Sequence, residues 1–177
     1  MRWEALFADL EAQLAAASPV EHADLERAEV ARTPLGDRVR AHVGATLRLR
    51  LRDGTALSGT LCEAGAGWLL LDVERAAVLV PGSAVTTVGG LSRAVAAPAG
   101  QVERRLGLGS VLRALARDRA PVRVQVEAAV LTGTVDRVGA DHLDLAVHPT
   151  GEARRPSAVR EVVTVPFAAL LSVRSGA

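Results

Sequence analysis

The chain has 177 residues, 49% of them hydrophobic, and 21 basic residues face 20 acids for a net charge of +1. That suffices for one ordinary domain or two small ones with real cores, and it excludes a surface uniformly coated for polyanions. The lone Cys62 excludes an internal disulfide and fits a reducing cytoplasm. The acidic start lacks the basic region of a signal peptide, and no run nears the roughly 18 apolar residues of a membrane span, so no membrane is expected.

Helical spacing comes first. Trp3, Leu6, Phe7, Leu10 and Leu14 share one face, with Glu4, Asp9, Glu11 and Gln13 on others. Ser18-Pro19 is the cap and first turn of a second helix running to about Arg32. Pro34 interrupts it, and Leu35, Val39 and Val43 form a short apolar stripe before Gly44. Residues 1–37 therefore read as a helical arm, either packed on its own domain or used for dimerisation.

From Ala45 the period changes to two. Leu47, Leu49 and Leu51 alternate with Arg48, Arg50 and Arg52, the pattern of a half-buried strand. Asp53-Gly54 is a tight-turn signal, and strands are expected to begin at Leu57, Trp68, Ala77 and Ala84, punctuated by Gly65-Ala66-Gly67 and Pro81-Gly82. This first unit covers 38–92. An Ala-, Pro- and Gly-rich linker, 93–109, follows. Ser110 then stands as N-cap of a helix bearing Leu112 and Leu115 on one side and Arg113 and Arg117 on another. Pro121 ends that helix, and alternation resumes with Val122, Val124 and Val126, so the second unit covers 110–177.

The two units are copies. Leu57–Val73 set above Leu131–Val147, an offset of 74 residues, gives eight identities in seventeen ungapped positions: Leu57/Leu131, Gly59/Gly133, Thr60/Thr134, Gly65/Gly139, Ala66/Ala140, Leu69/Leu143, Leu71/Leu145 and Val73/Val147. Val78–Pro81 and Ala84-Val85 recur as Val163–Pro166 and Ala169-Leu170 at an offset of 85, which places an eleven-residue insertion near His148–Arg160. The fold expected is mainly β with N-terminal helices: two tandem five-stranded barrels, each behind a short helix, with the shared glycines at sharp bends.

A short helix followed by five strands in this rhythm resembles the Sm-like family of small β-barrels (the LSm/Hfq type). The likeness covers about 38–90 and 110–175 and rests on Gly59 and Gly133 in a bent second strand before an apolar third strand. The resemblance implies binding of single-stranded RNA, with a base stacked on a ring at the strand corner. Trp68-Leu69-Leu70-Leu71 and His142-Leu143-Asp144-Leu145 occupy that corner, so Trp68, His142 and Asp144 are the implied site residues. The family's Asn is replaced by Leu70 and Asp144, and its Arg-Gly pair by Val80-Pro81-Gly82 and Val165-Pro166-Phe167.

Charge adds a second candidate surface. Arg104, Arg105, Arg113, Arg117, Arg119 and Arg123 crowd 101–123 against two acids, and all but Arg123 are candidate phosphate anchors. Catalytic signals are poor. Gly107-Leu108-Gly109 lacks the third glycine of a dinucleotide loop, and His22, His42, His142 and His148 show no metal-ligand spacing. Absence of Lys, Ile, Asn and Tyr, whose codons are AT-rich, points to a high-GC bacterial gene. The expectation is a cytoplasmic, non-catalytic protein without cofactor or metal that binds single-stranded RNA. The alternative is an interaction scaffold without nucleic acid, with homo-oligomers formed through edge strands or the N-terminal helices.

Overall fold

The structure is a computed structural model that describes residues 24, 27–28, 30–100, 105–149 and 161–175. The chain divides into two compact units, Met1–Pro34 and Leu35–Ala177. In the first, the described residues from Asp24 to Arg32 are helical, with an ion pair of 2.7 Å between Arg27 and Asp24, and the helix ends before Pro34 as expected. The helix expected over Trp3–Leu14, Arg104 and most of the insertion loop (150–160) lie outside the described residues.

The second unit is mainly β. Ten strands pair antiparallel: β1 (Thr46–Leu51), β2 (Ala56–Gly65), β3 (Trp68–Val73), β4 (Ala76–Pro81), β5 (Val85–Gly89), β6 (Pro121–Val126), β7 (Ala129–Val138), β8 (His142–Val147), β9 (Glu161–Pro166) and β10 (Leu170–Ser175). Helix α1 (Leu35–Arg40) precedes β1, and α2 (Leu108–Asp118) precedes β6. The order across the sheet is β5-β1-β2-β3-β4-β10-β6-β7-β8-β9. Each half therefore has its fifth strand beside its first, followed by a four-strand meander. The expected pair of separately closed barrels is not what the pairing draws. The halves join edge to edge through β4 and β10 in one open ten-stranded sheet.

The repeat is exact enough to carry its irregularities. The β2–β3 ladder slips between Leu61 and Glu63, and the β7–β8 ladder slips between Val135 and Arg137, 74 residues later. A bulge adds one residue to a strand, bends it and increases its twist. Gly59 and Gly133 explain the closeness of the strands next to those bends. A Cβ on either would collide with a backbone carbonyl of the facing strand, of Asp72 in the first half and Ala146 in the second.

Side-chain period does the rest. Along β1, Leu47, Leu49 and Leu51 are buried while Thr46, Arg48 and Arg50 are exposed. These leucines meet Leu61, Leu69, Leu71, Val78 and Val80 in one core; Val122, Val124, Val135, Leu143, Leu145 and Val165 make the matching core of the second half. At about 25 cal/mol per Å2 of apolar surface removed from water, each buried leucine contributes roughly 1.5–3 kcal/mol. Helix α2 begins three residues earlier than expected. Its N-cap is Gly107, without a side-chain cap, and Ser110 sits inside the first turn. Its end is set by Arg119 in the left-handed conformation, ahead of Pro121, which opens β6.

The turn between β3 and β4 is also unannounced. Glu74 and Arg75 both take positive φ, 54° and 67°, the two-residue geometry that matches strand twist, without a glycine.

Candidate functional site

Two surfaces of the sheet unit carry its candidate function: the joint where the halves meet and the free edge left on β5. The joint begins with the apolar run Trp68-Leu69-Leu70-Leu71. A run without alternation implies burial on both faces. On β3, Leu69, Leu71 and Val73 point into the first core, while Trp68 and Leu70 belong to the second; on β4, Val78 and Val80 point one way and Leu79 the other. The first half thus lends the outer face of β3 and β4 to its neighbour's core.

The neighbour returns the contact through a bulge. The β10–β6 ladder slips between Leu170 and Ser172, and the extra residue, Leu171, is fully buried in the first core. The backbone register across the joint is Val173 to Leu79, Arg174 to Val78 and Ser175 to Ala77.

Polar groups frame these contacts. The Trp68 indole N–H donates to the Leu106 carbonyl at 2.7 Å, and Ala66 bridges Gly107 just ahead of α2. Arg52 reaches from the end of β1 to Glu127 Oε1 at 2.7 Å, to the carbonyls of Ala168 (2.5 Å) and Leu170 (3.3 Å), and to Ser83 O in its own half (3.4 Å). Gln125 on β6 donates to Asp53 Oδ2 at 2.9 Å and to Thr55 Oγ1 at 3.0 Å, and its own carbonyl accepts from Ser172 Oγ at 3.2 Å. Hydrogen bonds from the backbone N–H and hydroxyl of Thr55, and then from Gln125, hold the Asp53 carboxyl below its ordinary pKa.

The site residues read from the sequence fall in different environments. Trp68, expected to stack a base, is 3% exposed and its ring is packed into the joint. In this arrangement little of the ring is left for a nucleotide, and what reaches the surface lines the groove beside β5. His142, its counterpart, is half-exposed, with Nδ1 2.9 Å from Asp141 Oδ1. That contact, ahead of the charge attraction, lowers the Asp141 pKa. A shared geometry explains the paired glycines: the Trp68 ring lies over Gly65 and the His142 ring over Gly139, each where a Cβ would collide with it. Asp144 accepts from Thr164 Oγ1 at 2.7 Å across β8 and β9.

Arg105, Arg113, Arg117 and Arg119 are exposed, the middle pair one helical turn apart on α2, and Arg113 donates to Ser110 Oγ at 3.3 Å. Among the described residues none of these four pairs with a carboxylate. In the β1 row, Arg48 and Arg50 remain exposed while Arg52 is committed to the joint. His42 and His148 are buried and satisfied locally: His42 Nε2 accepts from the Ser92 backbone N–H while Nδ1 faces the Arg38 carbonyl at 2.7 Å, and His148 Nε2 lies 2.9 Å from Thr134 Oγ1.

Sequence reading missed Arg52, Gln125, Leu106 and Leu171 as joint residues. One signal was present: Leu171 stands where the first copy has Thr86, and an apolar residue in place of a polar one between copies marks a covered face.

At the opposite edge, among the described residues, β5 has β1 on one side and no strand on the other. Beside it runs a groove of about 490 Å3, whose lining includes Leu35 and Val39 of α1, Gly82, Val85, Val88 and Leu91. Among the described residues no helix is long and apolar enough to cross a membrane. No protein-family model matches this chain, and no curated protein matches its sequence.

Proposed function

We propose that the protein is a non-catalytic, cytoplasmic interaction scaffold built from two Sm-like repeats joined edge to edge in one sheet, offering the β5 edge to a protein partner. The observation that carries this reading is the position of Trp68. Where the resemblance would place a ring for stacking a base, this chain uses the ring to hold its own second half. A free strand edge displays a row of backbone donors and acceptors, and natural proteins either obstruct such an edge or use it. Here β5 ends in Val88-Gly89 and Gly90 follows it, with little side chain to obstruct an incoming strand.

A second reading is favoured by one observation. Exposed Arg105, Arg113, Arg117 and Arg119 give single-stranded RNA a set of phosphate anchors around α2, with the half-exposed ring of His142 on the same half. Recovery of the protein from its cells, with and without nuclease, separates the two. The scaffold reading expects a protein partner that survives nuclease and slows amide exchange over Val85–Gly89. A partner lost on nuclease treatment, together with salt-dependent RNA binding abolished by R113E/R117E, would replace it with the RNA reading.

A further inference from the structure

The second half already shows how the edge of a fifth strand is used, because β10 carries β4 along it. β5 is the same strand in the first copy. Ala84-Val85 corresponds to Ala169-Leu170 at an offset of 85, and both strands slip against their first-strand partner at the same place, with Thr86 standing where Leu171 does. Moved by that offset, the joint residues Val173 and Arg174 become Val88 and Gly89. In the second half, the edge strand and its helix receive Trp68, Leu70 and Leu79 among Leu108, Leu112, Leu170 and Val173. In the first half, the matching space between α1 and β5 is the 490 Å3 groove. It is roomier for a sequence reason: Gly82 occupies the place of Phe167, which packs into the second core.

We propose that the β5 edge and its groove bind an extended strand of a partner protein, antiparallel to β5, whose groove-facing side chains are large and apolar and include an aromatic at the place of Trp68. This inference rests on the scaffold reading and names the chemistry of the partner. Main-chain pairing along β5 supplies affinity, and the groove supplies selectivity for alternate side chains. A second copy of this chain is a poor occupant. The homologous free strand among the described residues, β9 with β8, presents His142, Asp144 and Thr164 at the places of Trp68, Leu70 and Leu79. Seating Asp144 in an apolar groove strips a carboxylate of water, and Arg38, the groove's cation, is already engaged by the Ser92 carbonyl at 3.0 Å.

The test uses the full chain and, as probe, a labelled peptide with the sequence of residues 68–81, the segment the second half already accepts. Fluorescence anisotropy should show saturable binding, and amide exchange at Val88 and Gly89 should slow at least about tenfold. Replacing the peptide's tryptophan (Trp68→Ala) should weaken binding at least about tenfold, and so should Leu35→Asp in the protein. Leu35 is 56% exposed, so the variant is expected to keep the wild-type circular dichroism and melting temperature. Absence of saturable binding overturns the proposal, as does affinity indifferent to both substitutions. Concentration-dependent self-association that protects both β5 and β9 overturns it in favour of a second copy. If the peptide fails while a nuclease-resistant protein partner still protects β5, the stated chemistry falls and the scaffold reading stands; if both fail, both fall.

Discussion

The outer face of β3 and β4 and the outer face of β8 and β9 descend from one repeat, and three positions set them apart. Trp68, Leu70 and Leu79 on the first face correspond to His142, Asp144 and Thr164 on the second. The first face is core, shared with α2 and β10. The second is surface, with Asp144 bonded to Thr164 and His142 to Asp141. The other pair of faces follows suit: Leu171 on β10 is buried, and Thr86 on β5 is exposed, with its hydroxyl on the Arg50 carbonyl. The backbone leaves both ends of the sheet free to continue, and the side chains decide where it stops. The apolar outer face of β3 and β4 commits that edge to a partner; the polar outer face of β8 and β9 leaves its edge in water.

The largest effect should come from breaking the covered face at its centre. Trp68→Ala removes a nearly fully buried ring and leaves the Leu106 carbonyl without its donor, at a cost of about 3–5 kcal/mol. His142→Ala at the matching exposed position should cost less than about 1 kcal/mol. Urea unfolding of the two variants measures the contrast directly. Equal losses would mean that Trp68 is not part of the joint.

Exchanging the bulge residues tests the same contrast from the other side. Leu171→Thr puts a hydroxyl into the first core and should cost about 2–4 kcal/mol. Thr86→Leu adds an apolar side chain to an exposed position and should change stability by less than about 1 kcal/mol. Thermal melts followed by circular dichroism suffice to compare them.

Where the halves are alike, substitutions should behave alike. Gly59→Ala and Gly133→Ala each drive a methyl group into a backbone carbonyl of the facing strand, and each should cost about 1–3 kcal/mol. Unfolding free energies that differ by more than about 1 kcal/mol would show that one bend can relax and the other cannot.

What the sequence disclosed follows from which interactions are local. Alternation along β1, the Asp53-Gly54 turn and the repeated glycines all report on neighbouring residues or neighbouring strands, and each is found in the structure. The order of the meander follows from the same hairpins. The joint does not, because burial of Trp68 and Leu171 depends on which edge finds which partner across more than 90 residues of chain. Trp68 read as a ring at a strand corner, and its place in the corner is right; the covering of that corner is a tertiary event. Likewise Arg52 looked like the third member of a solvated row, and only the joint turns it into a connector. The β3–β4 turn escaped for another reason: Glu74 and Arg75 carry positive φ without the glycine or asparagine that would announce it.

The smallest predicted effect concerns pH and the polar rim of the joint. Asp53 is ionised at neutral pH and accepts from the Thr55 backbone N–H at 2.9 Å, the Thr55 hydroxyl at 2.8 Å and the Gln125 amide. These bonds favour the charged form, so its pKa in the folded chain lies below the ordinary 3.8. A group with a depressed folded pKa stabilises the fold above its unfolded pKa, and the contribution is lost as pH falls through the folded value. Asp53→Asn should therefore destabilise the chain slightly at pH 7, with the difference from wild type shrinking as the pH is taken below about 4. Gln125→Ala should narrow that pH dependence without abolishing it, because Thr55 supplies the larger share of the hydrogen bonding. A difference that stays constant down to pH 2 would place the role of Asp53 in turn geometry rather than in charge, and would remove the carboxylate from the contacts that tie β1 and β2 to β6.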